Sequence, residues 1–385
     1  ALNEEEAVAR DALAALAARH ALHNALADAQ RLQWVLDNVQ ALEAGPLFSW
    51  ITGWTSATDP AALEQAVDAS GARALLRFPL PPPGTRAPLL LANPGWVRPF
   101  EVFCRAMGMP SGNEADPSVL LAVAVPLMFG YMFGDVGQGL VIAAVGFALR
   151  RRFPMARLFI AGGLAAVVFG LLFGSVFSMH VMPAVWISPL DDPLTVLMAP
   201  LVGGAVLLAG GLLLGAVQAH WRGEFAAWLG SDAGLLVCYL GLLTGLAWAP
   251  AWGVAAAGAL WFCLGHGLQR RSVLAVAAGL AELVERLLQI LINTLSFARV
   301  GAFALAHAGL SSAIVALMDA AGHPLLAAAV LVLGNVVVIV LEGLVVSIQT
   351  TRLVLFEFFA RFLEAQGRVF RPLPPPPSSL QESPS

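Results

Sequence analysis

From Val119 onward the chain is a succession of apolar segments, several of them longer than the ~20 residues that a helix needs to cross a bilayer. That feature excludes a single soluble domain. Charged residues make up 12% of the chain, and 21 of them fall in residues 1–118, so the remainder is far sparser in charge than the roughly 25% of a soluble protein. The sequence therefore divides into a polar N-terminal part and an all-α polytopic membrane domain.

Four regions follow from composition. Residues 1–45 form an arm helix, rich in Ala, Leu, Glu and Arg, with Leu22, Leu26, Ala29, Leu32, Val35, Val39 and Leu42 at steps of three or four; this is a coiled-coil pattern that needs a partner. Residues 46–118, broken by Pro and Gly, read as a small α+β lobe. Residues 119–370 are the membrane domain, and residues 371–385 are a Pro/Ser-rich, disordered tail. The opening, ALNEEEAVAR, has neither an initiator Met nor the pattern of a signal peptide, and reads as a trimmed or incomplete start.

Apolar segments lie at 119–149, 157–179, 194–218, 233–249, 250–268, 280–318 and 324–366. Arg clusters at Arg150, Arg151, Arg152 and Arg157, at Arg222, at Arg270 and Arg271, and at Arg361, Arg368 and Arg371 mark cytoplasmic loops, whereas the loops at 180–193, near Pro250 and at 319–323 contain no Arg and are external. With the N-terminal region and the C-terminal tail cytoplasmic, segment 119–149 must return to its own side, as a bent helical hairpin broken in GYMFGDVGQG. About eight spans result; seven with an external N-terminus is the alternative. The last two segments, 39 and 43 residues by these bounds, would extend about 58 and 64 Å as helices against a hydrocarbon core of ~30 Å, so they tilt or project.

Ionisable residues inside spans are functional candidates by default, because their burial is costly. Arg299 lies too deep in its helix for its side chain to reach the interface. Arg352 and Glu342 lie in the final helix; an anchor at the headgroups and a neutral hydrogen-bonded carboxyl are their plainer readings. His307 follows Arg299 by about 12 Å of helical rise, and packing alone is its alternative. Asp135 sits among glycines and is equally well read as a helix cap, and Glu285 as a solvated partner of Arg286. A fixed cation flanked by titratable groups matches two offset half-channels. Arg is effectively always protonated, so it would expel an ion from a moving carboxylate by favouring the charged form, and that carboxylate belongs to another subunit.

Three blocks resemble the membrane stator subunit of V-type and A-type rotary ATPases, called subunit a or subunit I. GYMFGDVGQG (residues 130–139) is similar to the family's MFGD-x-GHG signature, with Gln138 in place of His. NTLSFARVGAFALAHAGLS resembles its Arg-bearing penultimate helix, and LEGLVVSIQTTRLVLFEFFARFLEAQGRVFRPL its final helix. The resemblance implies eight spans and two long helices against a rotor ring. It implies that Arg299 and Arg352 face the ring carboxylate, with Gln349 where eukaryotic relatives have His. Glu342, His307 and Asp135 then belong to the external half-channel and Glu285 to the cytoplasmic one. Counting from the turn at 319–323 instead places Glu342 level with Arg299.

The resemblance also implies a non-catalytic subunit that couples H+ or Na+ movement to ATP hydrolysis or synthesis. Its partners would be the c-ring, E/G-type peripheral-stalk subunits at the arm, other subunits of the complex and the lipid of the plasma membrane. A missing outgoing arm helix would explain the unpartnered helix at 4–42. The chain has no Lys, hence no Walker-type loop, and a net charge of −4 gives no basic footprint for nucleic acid. No cofactor or metal site is expected; Cys104, Cys238 and Cys263, without CxxC spacing, read as packing residues. The competing function is a stand-alone secondary transporter with Arg299 on an anionic or proton-coupled substrate.

Overall fold

The computed structural model describes residues 6, 10, 12, 15, 16, 22–39, 51–56, 59–71, 73–79, 85, 87–112, 114–180, 183–270, 273–359 and 367–371. The tail after Arg371, Arg271 and Arg361 lie outside them. The chain forms two compact units, residues 1–88 with 370–385, and Leu89–Val369.

In the first unit, helix α1 spans Leu22–Val39 and α2 spans Ala61–Ala69. Among the described residues, the apolar stripe of α1 is exposed at Leu26, Leu32, Val35 and Leu36. The carboxylate of Asp59 accepts the Ala61 N–H at 3.0 Å at the start of α2, and Gly71, at φ 68°, ends that turn.

The second unit begins ahead of the first span. Its first helices are a 3-10 turn at Arg98–Phe100 and α3, Glu101–Met107. Asn93 donates to Glu101 (3.2 Å) and to Asp116 (2.6 Å), which ties the chain entering the membrane domain to α3. Burial pushes the Cys104 thiol up to about 11.

The segment at 119–149 is two helices, α4 (Ser118–Met132) and α5 (Val136–Leu149), broken at Phe133–Asp135. They pack with α6, Ala156–Phe173. The packing is close: a Cβ on Gly163 of α6 would lie 2.6 Å from the Ala143 nitrogen of α5, which is the small-residue contact by which membrane helices approach. Helix α6 stops six residues before the expected end. Gly174 adopts φ 76° as its C-cap, and the chain turns into a hairpin pairing Ser175 with His180 and Val176 with Met179.

The remaining helices are α7 (Pro193–Trp221), the short α8 (Phe225–Gly230), α9 (Asp232–Gly245), α10 (Ala251–Arg270), α11 (Val273–Ser296), α12 (Ala298–Ala320), α13 (Pro324–Val337) and α14 (Gly343–Arg352). Asp192 caps α7, and its hydrogen bonds from Thr195 hold its carboxyl below the usual range. Six stretches among the described residues are long and apolar enough to cross a membrane: Ala156–Phe173, Pro193–Trp221, Phe225–Gly245, Ala251–Leu268, Val276–Ala320 and Pro324–Phe358. With the shorter α4 and α5 they make eight apolar elements.

The two last stretches are not uniform helices. The penultimate one is interrupted at Phe297, between α11 and α12. The final one contains two π-helical segments, Val338–Glu342 and Leu353–Phe359, on either side of α14. Such i→i+5 turns are rare and recur at functional sites.

Candidate functional site

Three clusters of charged and polar groups inside the helical unit bear on the candidate site. The first is built on the break between α4 and α5. Asp135 is the N-cap of α5, in extended conformation, and is fully buried. Its Oδ1 accepts the N–H groups of Gln138 (2.9 Å) and Phe177 (2.9 Å), and its Oδ2 accepts the Ser175 hydroxyl (2.7 Å) and the Ser178 N–H (2.8 Å). Phe177 and Ser178 both have positive φ, the turn geometry that aims successive amides at one anion. Four donors fill about four acceptor positions of a carboxylate. Asp135 thus ties the helix break to the hairpin after α6, and the capping alternative describes its contacts.

The same cluster reaches the final helix. Gln138 donates to Asn335 at 2.8 Å and to Ser178 at 3.1 Å, and Asn335 donates back to the Phe177 carbonyl at 3.3 Å. Asn335 lies one turn before the first π segment. Sequence reasoning missed it, although a buried Asn in VLVLGNVVVIVLEG was the available signal.

The second cluster joins α12 to the end of that π segment. His307 Nδ1 and Glu342 Oε2 are 2.9 Å apart, and both side chains are largely buried. The His307 ring lies against Phe133, centroids 5.1 Å apart. On its other side, His307 Nε2 and Ser311 Oγ are buried without hydrogen-bond partners, and both line a small cavity with Tyr131, Gly134, Ser175 and Pro189.

The third cluster surrounds Arg299, in the first turn of α12. Its Nη1 is 3.5 Å from Gln349 Oε1 and 3.9 Å from Glu357 Oε1. Level with Arg299, therefore, stand the residues on either side of Arg352, not Glu342. Counting at 1.5 Å per residue from the 319–323 turn does not reproduce this level, since His307 meets Glu342 and Arg299 meets Gln349. Glu357 is buried on the second π segment, near the polar end of its helix, where the sequence does not single it out. Arg352 itself is exposed.

Arg352 lies on a continuous exposed stripe. Leu333, Val337, Leu341, Leu344, Ile348 and Phe356 are all exposed, and with Arg352 they recur at steps of three or four, one face of the helix. Only 11% of this span is buried, against 33–44% for the other five. Glu285 is likewise exposed on α11, beside exposed Leu288, Ile292 and Leu295. It does not pair with Arg286, which reaches Asp232 (2.9 Å) and Glu282.

The fold and these clusters define a polytopic helical membrane protein with ionisable groups inside its last two spans. No protein-family model matches the chain. The A-type ATP synthase subunit I of Archaeoglobus fulgidus is 33% identical over 102 residues, 25% of this chain and 15% of that protein. That of Pyrococcus horikoshii is 27% identical over 318 residues, 74% of this chain and 47% of its own length. That of Methanocaldococcus jannaschii is 24% identical over 347 residues, 75% and 49% respectively. These likenesses support the V-type/A-type subunit a/subunit I family, and the chain spans about half the length, or less, of these relatives.

Proposed function

We propose that the chain is the membrane stator of a rotary ATPase or ATP synthase, without nucleotide chemistry of its own, which carries H+ or Na+ past a ring of small subunits. The observation that carries this reading is the placement of Arg299. It is a permanent cation beside Gln349, between the exposed Glu285 fourteen residues earlier and the His307–Glu342 pair on the far side of it.

The mechanism follows from charge. An ion passes along the His307–Glu342 pair and neutralises a carboxylate on the ring, which can then move through lipid without the cost of a bare charge. On reaching Arg299 the carboxylate ionises, because a neighbouring guanidinium favours its charged form. The ion leaves past Glu285 toward the cytoplasm. Arg299 also repels cations and prevents a direct leak between the two half-channels. Arg352 and the apolar stripe of the final helix supply the surface on which the ring slides. Run in reverse, the same steps drive rotation for ATP synthesis.

In this reading the domain is multi-pass in the plasma membrane, with eight spans and both ends cytoplasmic. The exposed stripe of α1 binds E/G-type peripheral-stalk subunits. Asp135 serves the external side by holding the hairpin and helix break that frame it, not as a ligand of the moving ion.

Cysteine at Leu344 or Ile348, oxidised in native membranes, tests the ring contact. Disulfide-linked products with a small helical-hairpin subunit containing an introduced cysteine are expected. A chain that purifies without such a ring and forms no crosslink from either position contradicts the reading and favours a stand-alone transporter.

A further inference from the structure

The contacts of Arg299 raise a question that the stator reading leaves open, namely what neutralises it between the passages of ring carboxylates. Its hydrogen bond to Gln349 and its ion pair with Glu357 span 3.5 and 3.9 Å, longer than the 2.7–2.9 Å typical of a charge-assisted hydrogen bond. Arg299 is therefore held loosely. Glu357 is buried, and its Oε2 has no hydrogen-bond partner; a buried carboxyl is either protonated or held beside a cation, and the cation Arg299 stands 3.9 Å away.

The cations available to Glu357 are few. Helices α3, α7 and α11 pack against its segment. On α3, Arg105 pairs with Glu101. Helix α7 contains no Asp, Glu or Arg. On α11, Arg286 is engaged by Asp232 and Glu282, and Glu282 also by His266. Among the described residues, the cations that act on Glu357 are Arg299 and Arg352, five residues earlier on the same helix. Arg352 is exposed on the apolar stripe of the final helix, whereas Glu357 is buried and its Oε1 lies 3.9 Å from Arg299 Nη1.

We propose that Glu357 is the internal counter-ion of Arg299, a positioning residue that holds the guanidinium in the ring's path and yields it to each arriving carboxylate. The proposal rests on the stator reading. The length of the contact suits this task. A ring carboxylate that forms short, bidentate bonds outcompetes a partner at 3.9 Å, and the partner reclaims Arg299 when the carboxylate leaves. Without Glu357, Arg299 would bind the ring carboxylate too firmly and act as a brake.

The test compares Glu357→Gln, which keeps shape and removes charge, with Glu357→Asp, which keeps charge and shortens the side chain, in the assembled complex in vesicles. ATP-driven ion uptake and assembly are recorded, with Arg299→Gln beside them. The Gln variant is expected to lose at least tenfold in uptake and the Asp variant to keep a third or more. Adding Gln349→Glu to Glu357→Gln returns a carboxylate to the other contact of Arg299 and is expected to restore uptake, and assembly if the single variant lacks it. Near wild-type uptake by Glu357→Gln, loss confined to the Asp variant, or no recovery in the double variant overturns the proposal. Normal uptake by Arg299→Gln overturns the stator reading itself; its loss alongside a fully active Glu357→Gln overturns only the counter-ion.

Discussion

His307 and Glu342, 35 positions apart in the chain, meet at 2.9 Å between the last two long helices. The contact sets the register of those helices, since it fixes which residues of the final helix can stand level with Arg299. It also makes a prediction. Glu342→Gln keeps a hydrogen-bonding group but no titratable one, and removal of a positioned proton-transfer group typically costs 10²–10⁴ in rate. ATP-driven ion uptake should fall by at least about tenfold in assembled complex, with Glu342→Asp retaining part of it. Equal uptake by Glu342→Gln and wild type would show that the pair is a packing contact.

Asp135→Asn presents an amide N–H₂ where Oδ1 or Oδ2 now receives two donors. Breaking a buried, fully hydrogen-bonded charge costs about 3–5 kcal/mol. The expected result is a loss of thermal stability and of yield in membranes. A stable Asp135→Asn chain with altered ion uptake would instead make Asp135 part of the ion path.

Gly241 and Gly203 separate close packing from mere small size. A Cβ on Gly241 would lie 2.5 Å from the Ala255 nitrogen, whereas one on Gly203 meets nothing within 4 Å. Gly241→Val should destabilise the detergent-solubilised chain by about 1–3 kcal/mol or more, and Gly203→Ala by less than about 0.5 kcal/mol. Equal thermal shifts would contradict the α9–α10 packing.

Cys104 is completely buried, with its thiol raised from 9.0 to about 11 by burial first. Only a small fraction is thiolate at neutral pH, and the thiolate is the reactive form. Maleimide at pH 7.5 should leave Cys104 unmodified until the chain is unfolded. The raised value also has a sign: the native state keeps a proton that the unfolded state gives up, so this group's contribution to stability is complete below pH 9 and declines from 9 toward 11. Rapid labelling of the native chain would contradict its burial.

Much of the fold was legible in the sequence because membrane insertion imposes length and apolarity directly. The hairpin at 119–149 was expected from reading the Arg residues at its far end as cytoplasmic, and the break between its two helices falls within GYMFGDVGQG. Backbone events were not legible. The stop at Gly174, the interruption at Phe297 and the two π segments depend on tertiary contacts that hydropathy does not register. The pairing of the last two helices was the part that hydropathy hid most, for Glu342 stands at His307, and Gln349 and Glu357 stand at Arg299. Arg299, His307 and Glu342 stood out as charges in apolar helices, whereas Glu357 did not, being close to the polar end of its helix. Asp135 stood out by motif, but only the turn at Phe177 and Ser178 gives its carboxylate a task.

In the stator reading Arg299 is the charge past which the ring carboxylates move. The decisive measurement records ATP-driven ion uptake and ATP hydrolysis together, in vesicles containing the assembled complex with wild-type chain or Arg299→Gln. Uptake is expected to disappear in the variant although the complex still assembles. Uptake near the wild-type rate would contradict the two-half-channel mechanism and leave Arg299 as a packing residue.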